Sequence, residues 1–234
     1  MRRVFILAGG LGTRLLPYTT VLPKPLLPLG RRTILEHLLE GVAASGLTRV
    51  TVGLGYLGHL VEAVIGDGSR YGVDVDYTHE ASPMGTAGPL LLLADPRPED
   101  LILVLNGDTY TDFNYSKAFD EAERTEADAV VVCVTKEVPM DFGILEVGVA
   151  GELLTYTEKP TYKFLVSTGM NVVRGSVLKA MKSERFDMPD LLRGIQERGG
   201  RVQCLDAQCT WLDLGRLEDL QAANDLVLDG SRVE

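Results

Sequence analysis

Apolar residues along the chain recur with two spacings, one typical of buried strands and the other of amphipathic helices. Residues 3–8 and 101–105 are almost continuously apolar, as central strands of parallel sheets are. Residues 34–45 carry apolar side chains every three or four positions, which predicts a helix that ends at Gly46. Strands therefore alternate with helices, which predicts an α/β fold with helices on both faces of a mostly parallel sheet. The same criteria predict strands at residues 49–53 and 73–77 and helices at residues 57–65 and 87–93.

The alternation becomes less regular after about residue 136. The sequence contains no internal repeat, no low-complexity linker and no other sign of a domain boundary. We therefore expect one domain over residues 1–234, a length at the upper end for a single domain. In this second half we expect short strands at residues 143–147, 153–157 and 164–173, and helices at residues 175–181, 188–198 and 217–227.

Composition narrows the class of protein. With 45% hydrophobic and 24% charged residues, the chain has the composition of an ordinary soluble enzyme. Its net charge of −10 argues against a nucleic-acid partner, because polyanion binding needs a broad positive surface. No apolar stretch approaches the roughly 18 residues that cross a bilayer, so we expect no membrane partner. Cys133, Cys204 and Cys209 lack a C-x-x-C spacing, which indicates reduced thiols in the cytoplasm rather than a disulfide scaffold or a zinc site.

A glycine-rich turn, Leu-Ala-Gly-Gly-Leu-Gly-Thr-Arg at residues 7–14, directly follows the first predicted strand. Glycines let the backbone turn sharply and present N–H groups to phosphate oxygens. The carboxyl ends of strands are where open α/β sheets bind ligands. Arg14 adds charged donors suited to a polyphosphate. Leu15 stands where a dinucleotide fingerprint needs a small residue, and the Gly-Lys-Ser/Thr of a Walker loop is absent, so the turn belongs to neither class.

Lys24 lies between Pro23 and Pro25, which restrict the local backbone and deny it helical structure. A rigidly held ammonium group suits a phosphate that must bind at a set position. Residues 1–36 also contain six basic side chains and a single acid, Glu36. This local excess of positive charge on an acidic protein fits a small anionic ligand, although a solvated surface would have the same composition.

Together, the glycine turn and Pro23-Lys24-Pro25 resemble the signature of the sugar-1-phosphate nucleotidyltransferases, also called nucleotide-sugar pyrophosphorylases. This family includes mannose-1-phosphate and heptose-1-phosphate guanylyltransferases and glucose-1-phosphate thymidylyltransferases. The resemblance implies a Rossmann-like three-layer α/β/α sandwich, with a nucleotide-binding part at about residues 1–125 and a sugar-phosphate-binding part at about residues 126–234. Further matching segments follow in the family's order at residues 85–88, 106–108, 142–143, 158–160, 169–171 and 211–215.

The resemblance also implies roles for individual residues. Arg14 and Lys24 would bind a triphosphate, and Lys159 would bind the phosphate of the incoming sugar. Asp108 and Asp213 would hold Mg²⁺. The position of Asp213 between two leucines supports its assignment, because burying an unpaired carboxylate is costly. The nucleotide-binding residues implied in this way are Leu7, Ala8, Gly9, Gly10, Gly12, Thr13, Gly85, Thr86 and Ala87, and the sugar-contacting residues are Gly143, Glu158 and Asn171.

The implied reaction is attack by a sugar-1-phosphate oxygen on the α-phosphorus of a nucleoside triphosphate, which gives a nucleotide-sugar and pyrophosphate. A phosphate monoester carries a charge of about −1.5 to −2 and needs no catalytic base. This agrees with His37, His59 and His79 lying outside the matching motifs, and we expect His37 to be structural. GTP with a mannose- or heptose-type sugar 1-phosphate fits the sequence best. UTP, dTTP or CTP with another hexose 1-phosphate stays open.

Two alternatives come from other functional classes. The first is a homologue without activity that binds a nucleotide-sugar and regulates a partner; the presence of all five charged residues assigned to catalysis disfavours it. The second is a glycosyltransferase, which is disfavoured because Asp108 and Asp112 are too widely spaced for its Asp-x-Asp motif. The expected partners are therefore the two small-molecule substrates. The sequence leaves open whether the chain forms a homo-oligomer.

Overall fold

The computed structural model describes residues 1–181 and 185–230. Within this part of the chain, no helix is both long and apolar enough to span a bilayer. The strands are β1 (Arg2–Ala8), β2 (Pro28–Leu29), β3 (Arg32–Thr33), β4 (Arg49–Leu54), β5 (Asp74–His79), β6 (Leu101–Asn106), β7 (Thr109–Thr111), β8 (Ala129–Pro139), β9 (Ile144–Val147), β10 (Leu153–Thr157), β11 (Thr161–Arg174), β12 (Val202–Asp206) and β13 (Trp211–Asp213). The α-helices are α1 (Ile34–Ala44), α2 (Gly58–Ile65), α3 (Ser116–Thr125), α4 (Gly175–Leu178), α5 (Met188–Glu197) and α6 (Leu217–Gly230), and short 3₁₀-helices cover Thr13–Leu15, Tyr18–Thr20, Lys24–Leu26, Ser69–Tyr71 and Gly88–Leu92.

A seven-stranded sheet with the order β12-β8-β11-β6-β1-β4-β5 forms the centre of the fold. Neighbouring strands are parallel except at β11, which runs antiparallel to both β6 and β8. Successive side chains of a strand point to opposite faces. Val4 and Ile6 of β1 pack with α1 and α3 on one face, whereas Phe5 packs with α4 and α5 on the other. Helices therefore cover both faces, which confirms the expected three-layer α/β/α sandwich with a mostly parallel sheet.

Helix α1 begins with a capping box. The Thr33 side chain accepts a hydrogen bond from the Glu36 N–H (3.2 Å), and the Glu36 carboxylate accepts one from the Thr33 N–H (2.7 Å). These two bonds satisfy N–H groups that the start of a helix leaves unpaired. One turn further on, the His37 ring bonds the carbonyl of Leu29 at 2.9 Å and packs edge-on against a tyrosine. The contacts of His37 are therefore structural, as expected.

Several elements differ from the predictions. The α-helix predicted at residues 87–93 is wrong, because the segment forms a 3₁₀-helix over Gly88–Leu92 whose start is fixed by Pro89 and by bonds to a distant carbonyl. The helix predicted at residues 175–181 is shorter, as α4. Strands β7, β8, β12 and β13 and helix α3 were not predicted as elements. Helix α3 carries only three buried apolar side chains, two of them alanines, so few large apolar residues mark its buried face.

The outer halves of β8 and β11 pair with each other, and the separate β9–β10 hairpin is formed by the residues between them. We call residues 135–165 the arm. Most side chains in it are exposed, including those of Phe142, Leu145 and Val149. The arm contains three of the residues expected to contact sugar or its phosphate: Gly143, Glu158 and Lys159.

Candidate active site

A cavity of about 580 Å³ opens at the carboxyl ends of β1 and β6, the neighbouring strands at the centre of the sheet. This is the edge at which open α/β sheets bind ligands. Gly215, Glu80, Pro83 and Asn106 also line it, although none of them was expected to be a site residue. The expected site residues that line the cavity are Leu7, Ala8, Gly9, Gly10, Gly12, Thr13, Arg14, Lys24, Gly85, Thr86 and Asp108.

The glycine turn lies against the cavity with little room for side chains. Gly12 has φ +61°, in the left-handed region that glycine adopts without strain. A Cβ on Gly12 would lie 2.8 Å from the Thr19 methyl group and 3.3 Å from Cβ of Lys24. The Thr19 hydroxyl donates a hydrogen bond to the Gly12 carbonyl (2.9 Å), which fixes the turn. A Cβ on Gly9 would overlap a carboxylate oxygen of Glu80. At Gly9 and Gly12 the turn therefore approaches its neighbours as closely as glycine permits, whereas Gly10 has open space around it.

Lys24 and Asp108 form an ion pair at the floor of the cavity. The Lys24 Nζ donates to Asp108 Oδ2 at 2.5 Å. The Lys24 side chain is only 9% exposed, and that of Asp108 is 29% exposed, so water screens the pair weakly. Pro23 and the following 3₁₀-turn hold the lysine backbone. The structure thus brings together two of the charged residues that the sequence places 84 positions apart.

Asp213 and Arg14 meet at a second point on the same edge. Strand β13 pairs antiparallel with β7, so Asp213 lies opposite the residue that follows Asp108. A Cβ on Gly215 would lie 3.0 Å from Asp213 Oδ1 and 3.1 Å from both terminal nitrogens of Arg14. Asp213 itself is exposed. Of the two leucines that flank it, only Leu214 is fully buried. The expectation that Asp213 is a buried carboxylate was therefore wrong, although the strand pairing does place it near Asp108.

Glu80 forms part of the opposite wall and was missed by sequence analysis. Its Oε2 accepts a hydrogen bond from the Met84 N–H at 2.9 Å, and its Oε1 faces Gly9. The residue is half-buried, and this burial raises the pKa of the Glu80 carboxyl, while the bond from Met84 offsets part of the rise. Glu80 directly follows β5, and this position at a strand end is the one sequence feature that could have identified it.

The remaining expected residues do not line the cavity. Ala87 is fully buried in the core, and Asn171 of β11 is 4% exposed with its Oδ1 unpaired. Gly143 and Glu158 are close together on the arm, where a Cβ on Gly143 would lie 3.0 Å from Glu158 Oε2. Lys159 is exposed at φ +42°. The structure therefore gathers the triphosphate set but not the sugar set.

A metal ion would find two carboxylates on this edge. Among the described residues, no group of three or more His, Cys, Asp or Glu side chains could hold a metal by itself. Asp108 and Asp213 come from adjacent positions of paired strands, and Leu214 N–H donates to the Asp108 carbonyl at 2.9 Å. A few carboxylates supplemented by phosphate oxygens and water is the donor set that Mg²⁺ prefers. The pair fits Mg²⁺ carried by a polyphosphate better than a resident metal.

Comparisons with known proteins show which family and fold this chain is similar to. Residues 3–230 match the profile of the family described as nucleotidyl transferase. The chain is 27% identical to a glucose-1-phosphate thymidylyltransferase of Streptomyces griseus and 28% identical to a mannose-1-phosphate guanyltransferase of Emericella nidulans. Both alignments cover 97% of the present chain. It spans 66% and 64% of those two relatives, somewhat less than two thirds of each. A crystal structure from Bacillus anthracis, described as a glucose-1-phosphate thymidylyltransferase with bound sucrose, superposes with a TM-score of 0.80 at 26% identity, covering 98% of this chain and 96% of that one.

Proposed function

The chain belongs to the nucleotidyl transferase family, and we propose from this premise that it joins a sugar 1-phosphate to a nucleoside triphosphate, giving a nucleotide-sugar and pyrophosphate. One observation carries the proposal. The glycine turn, Arg14, Lys24 and Asp108 converge on a single cavity at the carboxyl ends of β1 and β6. Closely spaced N–H groups, two cations and a carboxylate are the groups that a metal-bound triphosphate needs.

The triphosphate would lie along the glycine turn. Arg14 offers a planar fork of donors to the phosphate oxygens, and Lys24 offers a single buried ammonium group. The sugar phosphate is already a competent nucleophile, so the principal barrier is repulsion between two polyanions and the charge that develops on pyrophosphate. Fixed cations that stabilise this charge act by positioning and electrostatics. The proposal therefore needs no catalytic histidine.

Asp108 and Asp213 would hold Mg²⁺ together with the phosphate oxygens. The ion would neutralise charge on the triphosphate and on the departing pyrophosphate. Asp108 Oδ2 is bonded to Lys24 in this structure, and a metal ligated at that oxygen would take the place of the ammonium group. Lys24 would then be available to a phosphate oxygen. A metal-bound nucleotide that displaced Lys24 from Asp108 would replace one internal ion pair with two contacts to the substrate.

Glu80 favours guanine as the base. Guanine presents two adjacent donors, its N1–H and its N2 amino group, to which one carboxylate can accept. Uracil and thymine present one N–H between two carbonyl oxygens, which a carboxylate repels. Glu80 Oε1 faces the cavity while Oε2 is held by Met84. The guanyltransferase relative is consistent with GTP, whereas the thymidylyltransferase relative keeps dTTP as the alternative.

For the sugar, we propose a mannose- or heptose-type 1-phosphate. Lys159 would bind its phosphate, and Gly143, Glu158 and Asn171 would contact its hydroxyls, as the family resemblance implies. Three of these residues belong to the arm, so the sugar would extend from the cavity toward the arm. All three cysteines are unpaired thiols, which supports a reducing cytoplasmic location.

The experiment is a matrix of nucleoside triphosphates (GTP, UTP, dTTP, CTP and ATP) against a panel of sugar 1-phosphates with Mg²⁺, read as released pyrophosphate. We expect GTP with a manno-configured sugar phosphate to give the highest rate. Dominant activity with dTTP or CTP would contradict the choice of base but not the reaction class. Nucleotide binding without pyrophosphate release from any pair would instead support a regulatory homologue.

A further inference from the structure

Two segments 101 residues apart in the sequence are joined by hydrogen bonds at the wall of the cavity. We call these segments, residues 84–88 and 186–188, the clasp. The main chain contributes part of it. Phe186 N–H donates to the carbonyl of Met84 at 2.9 Å. The Phe186 carbonyl accepts from the N–H groups of Ala87 at 2.9 Å and Gly88 at 3.0 Å. The loop that bounds the cavity is therefore attached along its length to the segment before α5.

Asp187 occupies the N-cap position of α5 with an extended backbone, φ −97° and ψ 151°. An N-cap aspartate ordinarily accepts a hydrogen bond from an N–H of its own helix. Asp187 makes no such bond. Its Oδ1 instead accepts from the Thr86 N–H at 3.0 Å and from the Thr86 hydroxyl at 3.3 Å. The Asp187 carboxylate therefore bonds the cavity wall instead of capping its own helix.

Thr86 completes the connection in the opposite direction. Its hydroxyl oxygen accepts a hydrogen bond from the N–H of Met188, the first residue of α5, at 2.8 Å. The threonine thus supplies the cap that Asp187 does not. Gly85 fits between the two segments only because it lacks a side chain: a Cβ there would lie 2.6 Å from the Phe186 carbonyl oxygen and 2.7 Å from Asp187 Oδ1.

The hydrogen bonds of the clasp determine which donors and acceptors of this wall remain available to a nucleotide base. The N–H groups of Thr86, Ala87 and Gly88 already donate to acceptors within the protein. In the described part of the chain, the Gly85 N–H has no acceptor and Glu80 Oε1 has no donor, and both residues line the cavity. Phe186 fixes Met84, and Met84 in turn fixes Glu80. A chain of bonds therefore runs from the clasp to the carboxylate of Glu80, which lines the cavity.

We propose that Asp187 is a positioning residue for base selection, which holds Glu80 and Gly85 at the spacing that distinguishes one nucleobase from another. This inference rests on the proposed function. It assigns a role in that function to a residue outside the cavity. Base selection depends on donors and acceptors placed within hydrogen-bond distance, and a loosened wall loses that discrimination. Asp187 acts through Thr86 and does not itself line the cavity.

The test compares the full-length wild-type chain with Asp187→Ala, Asp187→Asn and a matched control, Asp190→Asn. Asp190 lies one turn further along α5, is exposed and pairs with Arg193. Hydrogen bonds to a carboxylate are strong enough that losing them corresponds to about tenfold or more in affinity. For Asp187→Ala we expect the KM for GTP to rise about tenfold while kcat changes less than about threefold, the pattern of lost uniform binding. We expect Asp187→Asn, which keeps an acceptor oxygen, to restore most of the loss and the control to match wild type.

The second readout is the ratio of Kd values for N-methylanthraniloyl-GTP and N-methylanthraniloyl-UTP, with Tm measured on each variant. We expect the preference for the GTP probe to fall in Asp187→Ala and to recover in Asp187→Asn. A lower Tm with an unchanged ratio would overturn the inference and leave the clasp a purely structural contact. If Asp187→Ala does not fold, Thr86→Val against Thr86→Ser decides, because only the serine keeps the hydroxyl bonds. These probes report without catalysis, so an inactive wild type would count against the proposed function alone.

Discussion

The substitution Asp108→Asn separates two roles of one carboxylate. In this structure Asp108 is bonded to Lys24 at 2.5 Å, and in the proposed complex it would bind Mg²⁺ while Lys24 binds phosphate. Asparagine keeps an oxygen at the same place, so Lys24 keeps an acceptor and the fold should persist. It removes the charge that both competes with phosphate for Lys24 and repels the triphosphate. We therefore expect nucleotide binding without metal to become tighter, even though turnover falls.

The size of the effect follows from the ion pair. The Lys24 side chain is 9% exposed, so its bond to Asp108 is shielded from water. Hydrogen bonds to charged groups contribute about 1.5–3 kcal/mol net. Each step of about 1.4 kcal/mol changes an equilibrium constant tenfold. Freeing Lys24 from its carboxylate should then strengthen metal-free binding of GTP by about tenfold or more. Turnover with Mg²⁺ should fall by about 10²–10³, the usual effect of losing one preorganised charge-stabilising group.

Isothermal titration of GTP in EDTA and in Mg²⁺ measures the affinities, and pyrophosphate release with a sugar 1-phosphate measures turnover, for wild type, Asp108→Asn and Asp112→Asn. Asp112 is the matched control, because it lies four residues away, is exposed, accepts a hydrogen bond from the Thr210 N–H at 2.8 Å and does not line the cavity. In wild type, Mg²⁺ should strengthen GTP binding markedly, and in Asp108→Asn this gain should shrink. A folded Asp108→Asn variant that binds GTP in EDTA no more tightly than wild type would refute the reasoning.

Three further predictions concern the same cavity. Arg14→Ala and Lys24→Ala should each lower kcat by about 10²–10³, because both cations line the cavity. Arg14→Ala should keep a native-like Tm, whereas Lys24→Ala should lower the Tm because it breaks the shielded ion pair with Asp108; steady-state kinetics and thermal melts check this, with Arg31→Ala as an exposed control. Glu80→Gln should lower the preference for GTP over UTP by about tenfold, since an amide both donates and accepts, and competition between the two nucleotides measures it. Because burial raises the pKa of Glu80, the affinity for GTP should weaken as pH falls through that pKa, at a higher pH than an ordinary glutamate near 4.3 would titrate. Affinity should be retained above that pKa, where the carboxylate is ionised, and a Glu80→Gln variant should lack the pH dependence.

The parts of the site that sequence analysis identified share one property, which is that they lie next to a strand end. The glycine turn follows β1 and Asp108 follows β6, and parallel neighbours bring such ends to the same edge. Lys24 was identifiable because the flanking prolines restrict it locally. Sheet geometry and local backbone restriction are therefore enough to bring the residues expected to bind a triphosphate to one cavity.

The features that sequence analysis missed depend on contacts between distant segments. Asp187 has the sequence signal of an ordinary N-cap, and only the tertiary structure turns its carboxylate to Thr86. The 3₁₀-turn after Ala87 has the same origin, because the Phe186 carbonyl fixes its start. Asp213 was expected to be buried because leucines flank it, yet it stands at the end of the three-residue strand β13 and its side chain is exposed.

The central claim is that the cavity holds a triphosphate for attack at its α-phosphorus. Parallel reactions with [α-³²P]GTP and [γ-³²P]GTP, Mg²⁺ and mannose 1-phosphate test it most directly when the products are separated by chromatography. The account predicts that the α label appears in the nucleotide-sugar and the γ label in pyrophosphate. Label from the γ position in inorganic phosphate, or from the α position in GDP, would show attack at another phosphorus and contradict the account.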